Sequence, residues 1–264
     1  INLLNKTDKI IFNSNWSKSR FLESLPLTLN LDKINVIHQS TSKVKIDFKK
    51  KKKIISFVGK LNSSKGYDAF GEAILKILET YPNWKSIVIG DEPREKLNFK
   101  HKNLNHLGYK DNPYILNKLK EVSISVVPSK WDEPFGRSSL EAASRGSALI
   151  ISNTGGLKET TKDALIIKNV TAKNIYKKID YLIKNKVFRQ DLQKSAYKNF
   201  KLTNQRSSKL IDNLRSEFHL KTLNNRLNVD KILKIVHITN FNERFDGRLH
   251  YNTGKRINNG FVRL

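Results

Sequence analysis

The chain has 264 residues, room for one large or two modest domains, and carries 50 Lys and Arg against 24 Asp and Glu, a formal net charge of +26. It has no Cys, which excludes disulfides, Cys-ligated zinc and thiol nucleophiles. No apolar run approaches the roughly 20 residues of a membrane span, and no signal peptide is visible. In chain order, "KIIFN" (9–13) predicts a short strand and "SNWSKSRFLESL" a helix capped by Ser14 or Asn15. "KINVIH" (33–38) predicts a second strand. A polar stretch and the run Lys49–Lys53 follow, expected to be a solvated linker.

Beyond residue 53 the pattern becomes regular. Short apolar strands are predicted at 54–58, 86–90, 105–107, 123–127, 148–151 and 164–167, with helical spacing between most of them. Phe70, Ile74, Ile77, Leu78 and Tyr81 form one core-facing helical stripe, and Ile175, Ile179 and Leu182 another. Asn112-Pro113 reads as a cap followed by a first-turn proline. This alternation predicts an α/β fold with a parallel, doubly wound, Rossmann-like sheet. Two more helical stretches follow residue 185, then a polar linker over 221–230. "KILKIVHITN" (231–240) opens a new strand, and Ile257, Phe261 and Leu264 repeat at helical spacing. The absence of Met and these two partial ends lead to the expectation of a piece of a longer protein.

In an open α/β sheet, ligands bind beyond the carboxyl ends of the strands. After the strand at 54–58 comes "GKLNSSKG": Gly59 permits a tight turn, Lys60 and Lys65 offer cations, and Gly66 leads into a helix. Such a turn suits a phosphate, although the P-loop spacing is absent, and an ordinary turn with two surface lysines has the same look. After the strand at 123–127 comes "PSKWDEPFGRSSLEAASRG" (128–146), with Glu133 in a loop and Glu141 about one turn into a helix. The six histidines make no ligand cluster, and structural or surface roles are expected for all of them.

Five segments occur together: "FVGKLNSSKG" (57–66), "IVIGDEP" (87–93), "HLGYKDN" (106–112), "VPSKWDEPFGRSSLEAASRG" (127–146) and "ISNTGGLKE" (151–159). In order and approximate spacing they resemble the retaining glycosyltransferases of the GT-B fold, the group 1 family that includes lipopolysaccharide and capsule enzymes. The pair Glu133 and Glu141, spaced E-x7-E, is the most specific part of the match.

The resemblance implies a division of the chain. Residues 1–40 would end an acceptor-side Rossmann-like domain and 41–53 would link it to a donor-binding domain at 54–200. Residues 201–220 would be a closing helix, 221–230 a linker, and 231–264 the start of a further Rossmann-like domain. The resemblance also implies roles. Glu133 would accept hydrogen bonds from hydroxyls of the donor sugar, and Glu141 would hold the ribose. Backbone N–H groups of Phe135, Gly136, Arg137 and Ser138 would meet sugar and diphosphate. Lys60 and Lys65 would neutralise the departing diphosphate beside Gly59, and Gly108 and Tyr109 would border the base. The implied partners are a nucleotide-diphosphate sugar and a glycan or lipid-linked acceptor, with no metal, no cofactor and no nucleic acid. A cytoplasmic protein is expected, with its excess lysine against the inner face of an anionic membrane. A basic nucleic-acid-binding module and a non-catalytic copy of the transferase domain are the rivals. Two features depart from the family. Lys stands at 60 where Arg is usual, losing the bidentate fork, and "HQSTS" (38–42) stands where an Asn-Gly-x-Asp turn is common.

Overall fold

The computed structural model describes residues 6–24, 31–224 and 235–236, which divide into two units, residues 1–37 with 210–264, and 38–209. The first unit holds strand β1 (Lys9–Phe12), helix α1 (Asn15–Glu23) and strand β2 (Ile34–Val36). Ser14 caps α1 by accepting from the Ser17 amide, one of the two caps the sequence offered. β1 lies between β2 and a two-residue strand at Ile235–Val236, all parallel. Ile10, Phe12 and Ile34 form its small buried cluster, with the Phe21 ring tilted against that of Phe12 at 4.9 Å between centroids. Apart from Ile235–Val236, the unit expected over 231–264 lies outside the described residues, and so does most of the linker expected before it.

The second unit is built on six parallel strands. They are β3 (Lys52–Val58), β4 (Lys85–Ile89), β5 (Leu104–His106), β6 (Val122–Val127), β7 (Ala148–Ser152) and β8 (Ala164–Ile167), in the spatial order β5-β4-β3-β6-β7-β8. Helices α2 (Tyr67–Thr80), α3 (Asn112–Leu119), α4 (Arg137–Ser144), α5 (Ala172–Lys184) and α6 (Lys186–Lys198) connect and follow the strands; α7 (Asn204–Asn224) comes after them, and its residues from 210 on belong to the first unit. Strand residues alternate between two cores because successive side chains point to opposite faces. Ile55, Phe57, Val88, Ile150 and Ile167 join α2 and α5 in one cluster. Ile54, Ile87, Ile89, Leu149 and Ile151 join α3 and α4 in the other. Each fully buried Ile or Phe contributes about 1.5–3 kcal/mol, so the two faces together fix the sheet between its helix layers.

Three expectations are corrected here. The lysine run is not all solvated. The Lys51 ammonium is held inside, donating to the carbonyls of Leu119, Val122 and Arg145 at 3.1, 2.8 and 2.7 Å, while Lys52 and Lys53 open β3. The cap of α3 is Asp111, not Asn112, which frees the Asn112 side chain for another partner. The helix after residue 203 also runs to Asn224, into the stretch read as linker. Among the described residues no helix is long and apolar enough to cross a membrane.

Candidate active site

Strand order reverses between β3 and β6, which makes their carboxyl ends the topological switch point of the sheet. Both segments singled out for chemistry leave the sheet there. The turn after β3 runs Gly59–Gly66, and the loop after β6 runs Pro128–Gly136. The two are stitched together. The Ser64 carbonyl accepts from the amides of Lys130 and Trp131 at 2.9 and 3.0 Å and from the Ser129 hydroxyl at 3.3 Å. Lys130 Nζ pairs with Asp68 at 2.5 Å. Gly66 makes this approach feasible. Its φ is +71°, and a Cβ there would stand 2.0 Å from the Pro128 carbonyl oxygen.

This stitching brings Lys65 onto Glu133. Lys65 Nζ lies 2.5 Å from Glu133 Oε1, with the two side chains 28% and 13% exposed. Glu133 is thus mostly buried against a cation rather than solvated. Its backbone is held from the other side, where the Gly156 amide donates to the Glu133 carbonyl at 2.7 Å. Gly155 has φ +53°, and a Cβ there would be 2.2 Å from that same carbonyl oxygen.

The second acid is held just as firmly. Glu141 is buried on α4, and its Oε1 accepts from Arg137 Nε at 2.8 Å and from Asn112 Nδ2 at 2.7 Å. Asn112 is a residue the sequence misassigned. Its spacing resembles a cap, and only the approach of α3 to α4 reveals its partner. Between the acids, Phe135 is buried and Gly136 starts α4 at φ +103° without a side-chain cap. Ser138 Oγ donates to the Val58 carbonyl at 2.7 Å, tying α4 to the end of β3.

The remaining sequence-predicted residues fall around the same strand ends. The Gly59 amide donates to Ile89 O at 3.0 Å and the Gly90 amide to Gly108 O at 2.9 Å, so Gly59, Gly90 and Gly108 cap neighbouring strands. Tyr109 is 64% exposed beyond β5, and Lys60 is exposed beside Gly59. Within the turn after β3, two amides are engaged by side chains of the protein itself. The Ser63 amide donates to the Glu95 carboxylate at 3.0 and 3.1 Å, and the Lys65 amide to Asn62 Oδ1 at 3.1 Å. In the neighbouring loop, Arg94 beside Glu92 holds the Glu92 carboxyl down to about 2.

His38 is the second residue sequence reasoning missed. Its Nε2 lies 2.9 Å from Glu159 Oε2, and its ring sits 5.4 Å from that of Phe135. The partner is 121 residues away, so nothing local marks it. His101 and His106 make local and structural contacts, with Asn103 N at 3.0 Å and with Phe99 O at 3.0 Å. Among the described residues no group of three or more His, Asp or Glu is placed to hold a metal ion. Cavities of about 680 and 380 Å³ open at the amino ends of the strands instead, sharing Lys52, Lys118 and Glu121, and neither is lined by a residue of the E-x7-E loop.

Residues 38–199 match the family model for glycosyl transferases group 1. The chain belongs to that family. It is 34% identical over 118 residues to an uncharacterized glycosyltransferase of Methanocaldococcus jannaschii, covering 42% of this chain and 30% of that protein. It is 27% identical over 154 residues to an uncharacterized 42.6 kDa protein of the cps region of Klebsiella pneumoniae, covering 56% of this chain and 39% of that protein. The chain therefore spans well under half of either relative. Anabaena HepE, solved in complex with UDP-glucose, superposes with a TM-score of 0.61 at 16% identity, over 78% of this chain and 64% of that one. The shared architecture is a Rossmann-like domain of the GT-B type, and the family's match falls on the second unit.

Proposed function

We propose that this chain is the donor-binding part of a transferase that moves a sugar from a nucleoside-diphosphate donor to a glycan or lipid-linked acceptor, with retention of anomeric configuration. The observation that carries this reading is the pair of held carboxylates at the switch point. Glu133 on Lys65 and Glu141 on Arg137 and Asn112 bracket the uncapped start of α4. A diphosphate between them meets ammonium groups and helix-start N–H donors, while hydroxyl-bearing rings on either side meet carboxylate acceptors. Cleaving the anomeric bond builds negative charge on the diphosphate and positive charge on the sugar. Lys60 and Lys65 stabilise that leaving group in the role a metal ion fills elsewhere. The UDP-glucose bound by HepE, a protein of similar fold, supports a nucleotide-sugar donor. The cps-region relative supports a polysaccharide as the product.

Calorimetric titration with a panel of nucleoside diphosphates and their sugars tests this. Glu141→Ala is expected to weaken both classes by about 10- to 100-fold, the loss of charge-assisted hydrogen bonds worth about 1.5–3 kcal/mol. A wild-type chain that binds no member of the panel, yet binds DNA or RNA with a steep salt dependence, overturns the reading in favour of a basic nucleic-acid module.

A further inference from the structure

We propose that the Lys65–Glu133 ion pair makes the site discriminate between a nucleotide sugar and the nucleoside diphosphate left after transfer, favouring the former. This deepens the donor-site reading and rests on it. The two charges that should serve the two ends of the donor are in contact with each other, at 2.5 Å. Both backbones are fixed from behind. The Lys65 amide is tied to Asn62, the neighbouring Ser64 carbonyl to the Glu133 loop, and the Glu133 carbonyl to Gly156. Opening the pair therefore falls to the side chains alone.

The two ligands open it at different cost. A diphosphate draws the Lys65 ammonium toward its oxygens and leaves Glu133, 13% exposed, without its counter-charge and close to added negative charge. A partly buried carboxylate stripped of its partner is destabilising. The intact donor brings sugar hydroxyls at the same moment, so Glu133 exchanges an ammonium for O–H donors while Lys65 exchanges a carboxylate for phosphate. The penalty thus falls on the diphosphate and spares the donor. After transfer the sugar has left, Glu133 recaptures Lys65, and the diphosphate is pushed toward release.

The test measures dissociation constants for matched pairs, UDP with UDP-sugars and GDP with GDP-sugars, on the wild-type chain and on Glu133→Gln. The neutral amide no longer holds the ammonium, so the variant is expected to bind the diphosphate about two- to fivefold more tightly, the range of a modest ion pair, and the nucleotide sugar more weakly. The two affinities move in opposite directions, which a merely structural loss would not produce. If the wild-type chain binds both ligands and Glu133→Gln leaves diphosphate affinity unchanged or weakens it, the ion-pair proposal is overturned while the donor site stands. If the wild-type chain binds neither ligand, the donor reading itself has failed. Should Glu133→Gln not fold by circular dichroism, Glu133→Asp draws the carboxylate back by one methylene and is read by the same ratio, with the same direction expected.

Discussion

Lys51 shows how much one buried side chain can set. Burial, with the neighbouring Arg145 charge as a second cause, lowers its pKa from 10.5 to about 7. The unfolded chain holds the Lys51 proton up to about pH 10.5, whereas the folded chain gives it up near 7. Between those values the unfolded state binds more protons, so this residue makes the fold more stable as pH rises. Denaturant unfolding of wild type and Lys51→Met should show the wild type gaining relative to the variant from pH 7 to 10, with little relative change below 7. Tyr67, raised to about 12 by burial, ionises first in the unfolded chain and lowers the stability of both proteins alike above pH 10, so it cancels in the comparison. A parallel dependence of the two proteins would refute the assignment. None of this was legible in five consecutive lysines. Their identity carries no information on which one turns inward, and the three carbonyls that receive Lys51 come from residues 119, 122 and 145. His38 and Asn112 escaped detection for the same reason, since each takes its meaning from an acid distant in sequence.

At the scale of elements, the candidate site depends on two loops held at a fixed separation, and glycines set that separation. Gly155→Ala forces a Cβ into the Glu133 carbonyl and puts Ala in the left-handed region. A loss of about 1–3 kcal/mol in unfolding free energy is expected, along with weaker nucleotide-sugar binding than wild type. Unchanged stability and affinity together would show that the Glu133 loop is not braced there. The elements themselves were largely readable. Short apolar runs located all six strands of the second unit to within a few residues, because a strand that feeds two cores is apolar on both faces. The E-x7-E spacing was readable because its acids lie on one continuous loop and helix. Boundaries slipped where charge misleads. β3 begins at Lys52, two residues before its apolar run, and the cap of α3 sits one residue before the Asn-Pro pair.

Over the whole molecule, the span matched by the family, 38–199, nearly coincides with the second structural unit, 38–209. That unit has its own two-faced core and contains every residue assigned here to the donor site. Residues 38–209 expressed alone are therefore expected to unfold in one cooperative transition and to bind the same nucleoside diphosphates as the full chain, within about threefold, since contacts carried entirely by one unit are insensitive to distant sequence. Loss of binding in a folded 38–209 piece would mean that other residues complete the site.

The strand order has one more consequence, during synthesis. β3 is central, but its neighbour β6 follows only after β4 and β5. A nascent chain that has delivered β5 but not β6 carries an open, apolar edge of β3 with no mate to cover it. Such an edge invites pairing with other chains. The crevice between β3 and β6 closes only once Val122–Val127 has emerged, so the ligand can rescue the chain only late, by capturing molecules in which that last central seam has formed.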